Sequence, residues 1–202
     1  MQHLLTLLFL TLLCTCLRAQ NQIGNRVDFD GNPDAGWTYS GAASFLLNGA
    51  ATSTPNWGTR DPIQSPSKGA ALLLEQAMGE LPTFARSGAL DFSGESAVWF
   101  GFHQYYRENI DGNPRLIIRQ DGSTPLLDLP LNTLLPPGAE TGVWDTVMID
   151  LSSVLAGQTN MTVEFVFSGN SYFWIIDDIA FYDGPPQTVP DTFGNYLRQQ
   201  NY

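Results

Sequence analysis

The run Trp174-Ile175-Ile176-Asp177-Asp178-Ile179-Ala180-Phe181 sets two acids in the middle of an otherwise apolar stretch. Aromatic and β-branched residues dominate it, which is the composition of a strand. Period two places Ile175, Asp177, Ile179 and Phe181 on one face. That face is apolar, so it predicts a place in the core with the Asp177 carboxylate inside it. An ionised carboxylate in the interior is strongly disfavoured unless it is paired or bound to a metal. Near the other end of the chain stands Val27-Asp28-Phe29-Asp30-Gly31, followed by Gly36-Trp37. Asp28 and Asp30 share a face of their own segment. If the opening and closing segments are neighbours, their carboxylate oxygens converge, a donor set that suits a hard cation such as calcium (Ca²⁺). Backbone N–H groups, or an arginine such as Arg26 or Arg86, would satisfy Asp177 instead.

Between these ends the chain reads as short β-like runs over 70–74, 97–105, 115–120, 144–151 and 161–167. Met161, Val163, Phe165 and Phe167 alternate with Thr162, Glu164 and Val166. In the same way Asp145, Val147, Ile149 and Leu151 form the expected core side of their run. Turn clusters punctuate the runs: Asp111-Gly112-Asn113-Pro114, Asp121-Gly122, Pro136-Pro137-Gly138 and Ser168-Gly169-Asn170. Helical signals are scarce, with one turn expected at 152–155. Many short strands with regular turns predict an all-β sandwich of two sheets. The segment 31–67 differs, being rich in small and polar residues with Trp37 and Trp57 embedded.

The chain has 202 residues, of which 43% are hydrophobic and only 14% charged, enough for one ordinary core. Its net charge is −11 and Lys68 is the sole lysine, which excludes nucleic acid as a partner, because phosphate neutralisation needs basic groups. Residues 4–17 form an almost unbroken apolar run, too short for a comfortable membrane span and of the length of a signal-peptide core. Residues 1–19 are therefore expected to be a signal peptide, cut after Ala19, and the product to be secreted or held at the cell surface. Both cysteines, Cys14 and Cys16, lie in that segment, so the mature chain has no disulfide and no membrane span. The expected module covers 26–184. Residues 185–202, opening with Pro185, Pro186 and Pro190, read as a linker or tail.

The inventory of reactive groups is thin. His103 lies in a strand-like run with no nucleophile elbow near it, and no glycine-rich phosphate loop occurs. Glu164 and Glu95 are the notable glutamates of the strand regions, and surface solvation is the expected role of both. A jelly-roll glycanase would need two carboxylates about 5–9 Å apart on a concave face.

The same residues carry a family resemblance. The opening Asp28-Phe29-Asp30-Gly31 with Gly36-Trp37, a middle Ser65-Pro66-Ser67-x-Gly69-Ala70-x-Leu72-Leu73, and the closing Trp174-x-Ile176-Asp177-Asp178-Ile179 resemble MAM domains and, more closely, the cleaved-adhesin modules of secreted bacterial proteins. The resemblance spans nearly the whole expected module. It implies a β-jelly roll of two antiparallel sheets, non-catalytic, used in adhesion or as an accessory module of a larger enzyme. It also implies a structural Ca²⁺ on Asp28, Asp30 and Asp177, with Asp178 as a further ligand. The cysteines common in animal MAM domains are missing, so the animal cell-surface role does not transfer.

The expected function is a secreted binding or adhesion module whose partner is a glycan or an extracellular protein. Aromatic faces stack on sugar rings, which makes Trp57, Tyr105, Tyr106 and Tyr172 the candidate ligand-binding residues. The rival readings are the glycanase and an N-terminal accessory module of a larger secreted protease or hydrolase.

Overall fold

The structure is a computed structural model, and it describes residues 20–29, 36–41, 44–46, 53–54, 58–59, 70–75, 82–107, 112–142, 144–169, 173–185 and 198–199. Its strands follow the alternation in the chain. In β12 (Met161–Ser168) the expected row Met161, Val163, Phe165 and Phe167 is buried. In β11 (Asp145–Asp150) Val147 and Ile149 are buried, as is Leu151 just beyond it. A single helical turn follows at Ser152–Leu155. Among the described residues no helix is long and apolar enough to cross a membrane.

Two antiparallel sheets make the sandwich. At the centre of the first lies β13 (Phe173–Tyr182), with β8 (Trp99–Tyr106) antiparallel along one side. The other side of β13 is divided. Residues 173–176 pair with β6 (Ala71–Glu75), and residues 179–182 pair with β1 (Gln22–Val27). Outward from β6 lies β3 (Ser44–Leu46), and outward from β8 lie β11 and the parallel pair of β14 (Arg198–Gln199). The second sheet runs β10 (Pro125–Pro130), β9 (Asn113–Gln120), β12, β7 (Thr83–Arg86) and β2 (Thr38–Ser40). A separate hairpin joins β4 (Ser53–Thr54) to β5 (Gly58–Thr59). β10 begins and ends in proline and occupies a sheet edge, where a missing backbone donor is tolerated.

Phe165 is the hub of the core. Its ring centroid lies 5.2 Å from Phe102, 5.3 Å from Trp174 and 5.9 Å from Phe100, the first two edge-on. Such geometries suit the ring quadrupoles. One polar group at the same depth is fully engaged. Gln104 and Asn132 exchange amide hydrogen bonds of 2.9 and 3.0 Å, and the Trp174 indole donates to Gln104 Oε1 at 2.9 Å.

β13 departs from the face expected for it. Asp177 pairs with His103 and Ala180 with Gly101, so three steps along β13 match two along β8. The extra residue is Asp178, at φ 55°. Aspartate enters this left-handed region more readily than most residues. The bulge reverses the alternation. Trp174 and Ile176 face the inter-sheet core before it, and Ile179 and Phe181 do so after it. Ile175 joins Ala71, Leu73, Tyr105 and Phe173 in a smaller cluster on the opposite side. Ile175, Asp177, Ile179 and Phe181 therefore do not form one face.

The ends of the module are fastened together ahead of residue 26. Asn21 donates its backbone and side-chain N–H groups to the Asp183 carboxylate at 2.7 and 2.8 Å. Truncating the hub should test how far the core depends on it: Phe165→Ala is expected to lower unfolding free energy by about 3–5 kcal/mol in urea titrations.

Candidate functional site

Where β1 passes the segment 87–92, the edges of the two sheets part and leave a cleft of about 310 Å³. Its walls come from Ile23 and Val27 of β1, Ile179 and Phe181 of β13, and Trp37 and Phe92. Trp37 is half-buried, stacked nearly parallel on Phe165 at 6.2 Å and edge-on to Phe29 at 5.9 Å. The approach to Trp37 requires glycine: a Cβ on Gly88 would lie 2.9 Å from the Gly36 carbonyl oxygen. Gly24, at φ 68°, interrupts the pairing of β1, and Gly24 and Asn25 form part of the rim.

The polar side chains lining the cleft are the exposed Asn25 and Asp91 at its rim and the buried Ser87. Ser87 is committed to structure, since its hydroxyl donates to the Gly88 carbonyl and accepts the Val163 N–H. Asp91 is exposed and accepts the Ser93 N–H at 2.9 Å, which holds its carboxyl below the usual carboxylate range. An apolar slot with one indole and a few polar rim groups can take the apolar face of a small ring and bind its polar edge. Tyr105 and Tyr106, two of the expected ligand residues, are not among the residues that line it. The available signal was Gly36-Trp37, where a glycine admits the neighbouring backbone beside an aromatic.

Of the four expected aromatics, two lie among the described residues, and both are buried in β8. Tyr106 is fully buried, with its ring edge-on to Phe167. Tyr105 is buried against Phe173 and donates its hydroxyl to Glu140 at 2.9 Å. Neither ring offers a face to a ligand, a correction that follows from their position within the length of β8. Trp57 and Tyr172 lie outside the described residues.

The opening and closing strands do lie side by side, and cations already meet the closing acids. Arg26 Nη2 is 3.0 Å from Asp178 Oδ1, and His103 Nδ1 is 3.0 Å from Oδ2. The arginine contact supplies charge without hydrogen-bond alignment. Asp177 is fully buried, and its Oδ1 accepts the Asp178 N–H at 2.8 Å. Asp28 follows β1 and is half-buried, while Asp30 lies outside the described residues. Among the described residues no three histidine, cysteine or acidic side chains are grouped to hold a metal. Of the expected Ca²⁺ ligands, Asp178 does not fit that role here, because both its carboxylate oxygens face nitrogen. Burial pushes the nearby Tyr182 phenol up, with Arg26 opposing the shift and Asp178 adding to it.

Glu164 is also placed differently from expectation. It is buried rather than solvated, and accepts from Arg86 at 3.0 Å and Arg119 at 2.8 Å. A buried acid held between two guanidinium groups is charge-balanced without solvent.

No protein-family model and no curated protein matches the sequence. Among solved structures the chain is similar to the K1 cleaved adhesin domain of Lys-gingipain from Porphyromonas gingivalis W83, at 13% identity and TM-score 0.49, covering 83% of this chain and 100% of that one. It is similar to the K3 domain of the same protein at 15% identity and TM-score 0.47, over 81% and 100%. The C-terminal family 22 carbohydrate binding module of Clostridium thermocellum Xyn10B is similar at 16% identity and TM-score 0.46, over 81% and 94%. At these levels a likeness carries no argument about function.

One acid of the described sheets is left in an unfavourable state. Glu75, at the end of β6, has a buried Oε1 without a hydrogen-bond partner, and burial raises its pKa. Its ionised form is thus less favourable folded than unfolded, a penalty absent in acid and complete once pH exceeds the folded pKa. Glu75→Gln is expected to melt higher than the parent at pH 7. The gap should close as pH falls below about 4, which thermal melts across pH will check.

Proposed function

We propose that this chain is a secreted, non-catalytic binding module that takes a glycan ring in the cleft beside Trp37. The observation that carries this reading is the cleft itself, an apolar slot at the sandwich edge with an indole in its wall and Asn25 and Asp91 on its rim. Sugars present an apolar ring face and a polar perimeter, which matches that distribution of groups. The commitment of three strand acids to cations supports the absence of catalysis. Glu164 is held by two arginines, Asp178 by Arg26 and His103, and Asp128 by Arg115 at 2.7 Å. A carboxylate locked to a guanidinium is a poor general acid or nucleophile. The apolar segment at residues 4–17 supports export, and the motif resemblance to cleaved-adhesin modules supports adhesion as the setting.

The test is a screen of the purified module on a glycan array, followed by calorimetry on whatever is retained. Trp37→Ala is expected to weaken binding about tenfold or more. Asn25→Ala, which leaves the stacking on Phe165 intact, should weaken it about fivefold. A blank array, or both variants binding like the parent, would overturn the reading.

A further inference from the structure

β1 and β13 each carry an irregularity, on either side of the Val27–Ile179 pair. Gln22 and Ile23 pair with Tyr182 and Phe181, pairing lapses past Gly24, and it resumes at Val27 opposite Ile179. The lapse on β1 faces Ala180, and the bulge at Asp178, which β13 makes against β8, lies just past the Val27–Ile179 pair. Regular pairing with β13 is therefore interrupted over residues 24–26. In this gap Arg26 reaches the Asp178 carboxylate at 3.0 Å, and His103 on β8 takes its other oxygen at 3.0 Å. The Asp178 side chain is 5% exposed, so its charge has little solvent to rely on. A buried carboxylate of this kind requires a counter-cation. β1 is also a wall of the cleft through Ile23, Gly24, Asn25 and Val27.

We infer that Arg26, clamped by Asp178 with His103 behind it, is the built-in cation of this module and fastens the opening strand to the closing strand without a metal ion. A guanidinium carried on β1 does from within the chain what a bridging Ca²⁺ would do from solution. It adds a covalent tie, since the cation cannot leave without its strand. The inference concerns the seat of β1 and stands whether or not a glycan binds the cleft.

The test uses the whole chain, with Arg26→Met, Asp178→Asn and the double variant. Asparagine tolerates the left-handed backbone at 178, so that variant removes charge without new strain. The parent should melt within about 1 °C in EDTA and in millimolar Ca²⁺, whereas a structural ion at a hundred times its Kd would raise Tm by roughly 5–10 °C. Amide exchange across Gln22–Val27 should quicken about tenfold in either single variant, with β9 unchanged. The double variant should be no worse than one of them, because the two residues act as a pair. Chelation that lowers the parent's Tm would overturn the inference. Additive effects of the two substitutions, or undisturbed exchange in β1, would do the same.

Discussion

The structure turns on the reversal of β13 halfway along its length. A strand in the middle of a sheet normally keeps one face to the core, and here Asp178 inserts one residue and exchanges the two faces. Before the bulge Trp174 and Ile176 pack inward, and after it Ile179 and Phe181 do. The exchange goes with the division of one side of β13 between β6 and β1. It also leaves two adjacent acids at a level where the backbone ladder is interrupted. The side chains around Asp178 supply the compensation that hydrogen bonds elsewhere provide.

Electrostatics in this acidic protein are settled locally. The chain has nine basic residues against twenty acidic, yet three of its arginines stand at strand positions beside buried acids. Arg26 meets Asp178, and Arg86 and Arg119 meet Glu164. Because pairs of this kind are close to break-even against an apolar replacement, they are better viewed as fixing register than as adding stability. Glu164 links β7, β12 and β9 through its two partners, and Asp178 links β1, β13 and β8. Each acid therefore specifies which strands are neighbours.

The cleft belongs to the same arrangement. It opens where β1 leaves regular pairing and where Gly36 and Gly88 touch, so its apolar walls are core residues reached from the side. Phe100, Val163 and Ile179 each serve the core and the cleft at once.

Several elements were legible from the chain alone. The rows Met161–Val163–Phe165–Phe167 and Val147–Ile149–Leu151 identify their own buried faces, because period-two alternation is a local property of the backbone. The adjacency of the first and last strands entered as the condition for their acids to meet, and the fold satisfies it with Arg26 rather than a second acid against Asp178. β7 and β10 escaped notice, one because it is four residues long and the other because its terminal prolines disguise an edge strand. The partners of the acids were not legible. Arg26 and Arg86 were both available to Asp177, and the fold gave Arg26 to Asp178 and Arg86 to Glu164. Nor could spacing show that Tyr105 and Tyr106 are buried while Trp37 borders an opening, since exposure depends on what lies across the sheet. Sequence determined the strands and their composition, for alternation and turn chemistry act over a few residues. Tertiary structure decided the phase of β13, the counter-cations and the cleft, for each depends on groups brought together from opposite ends of the chain.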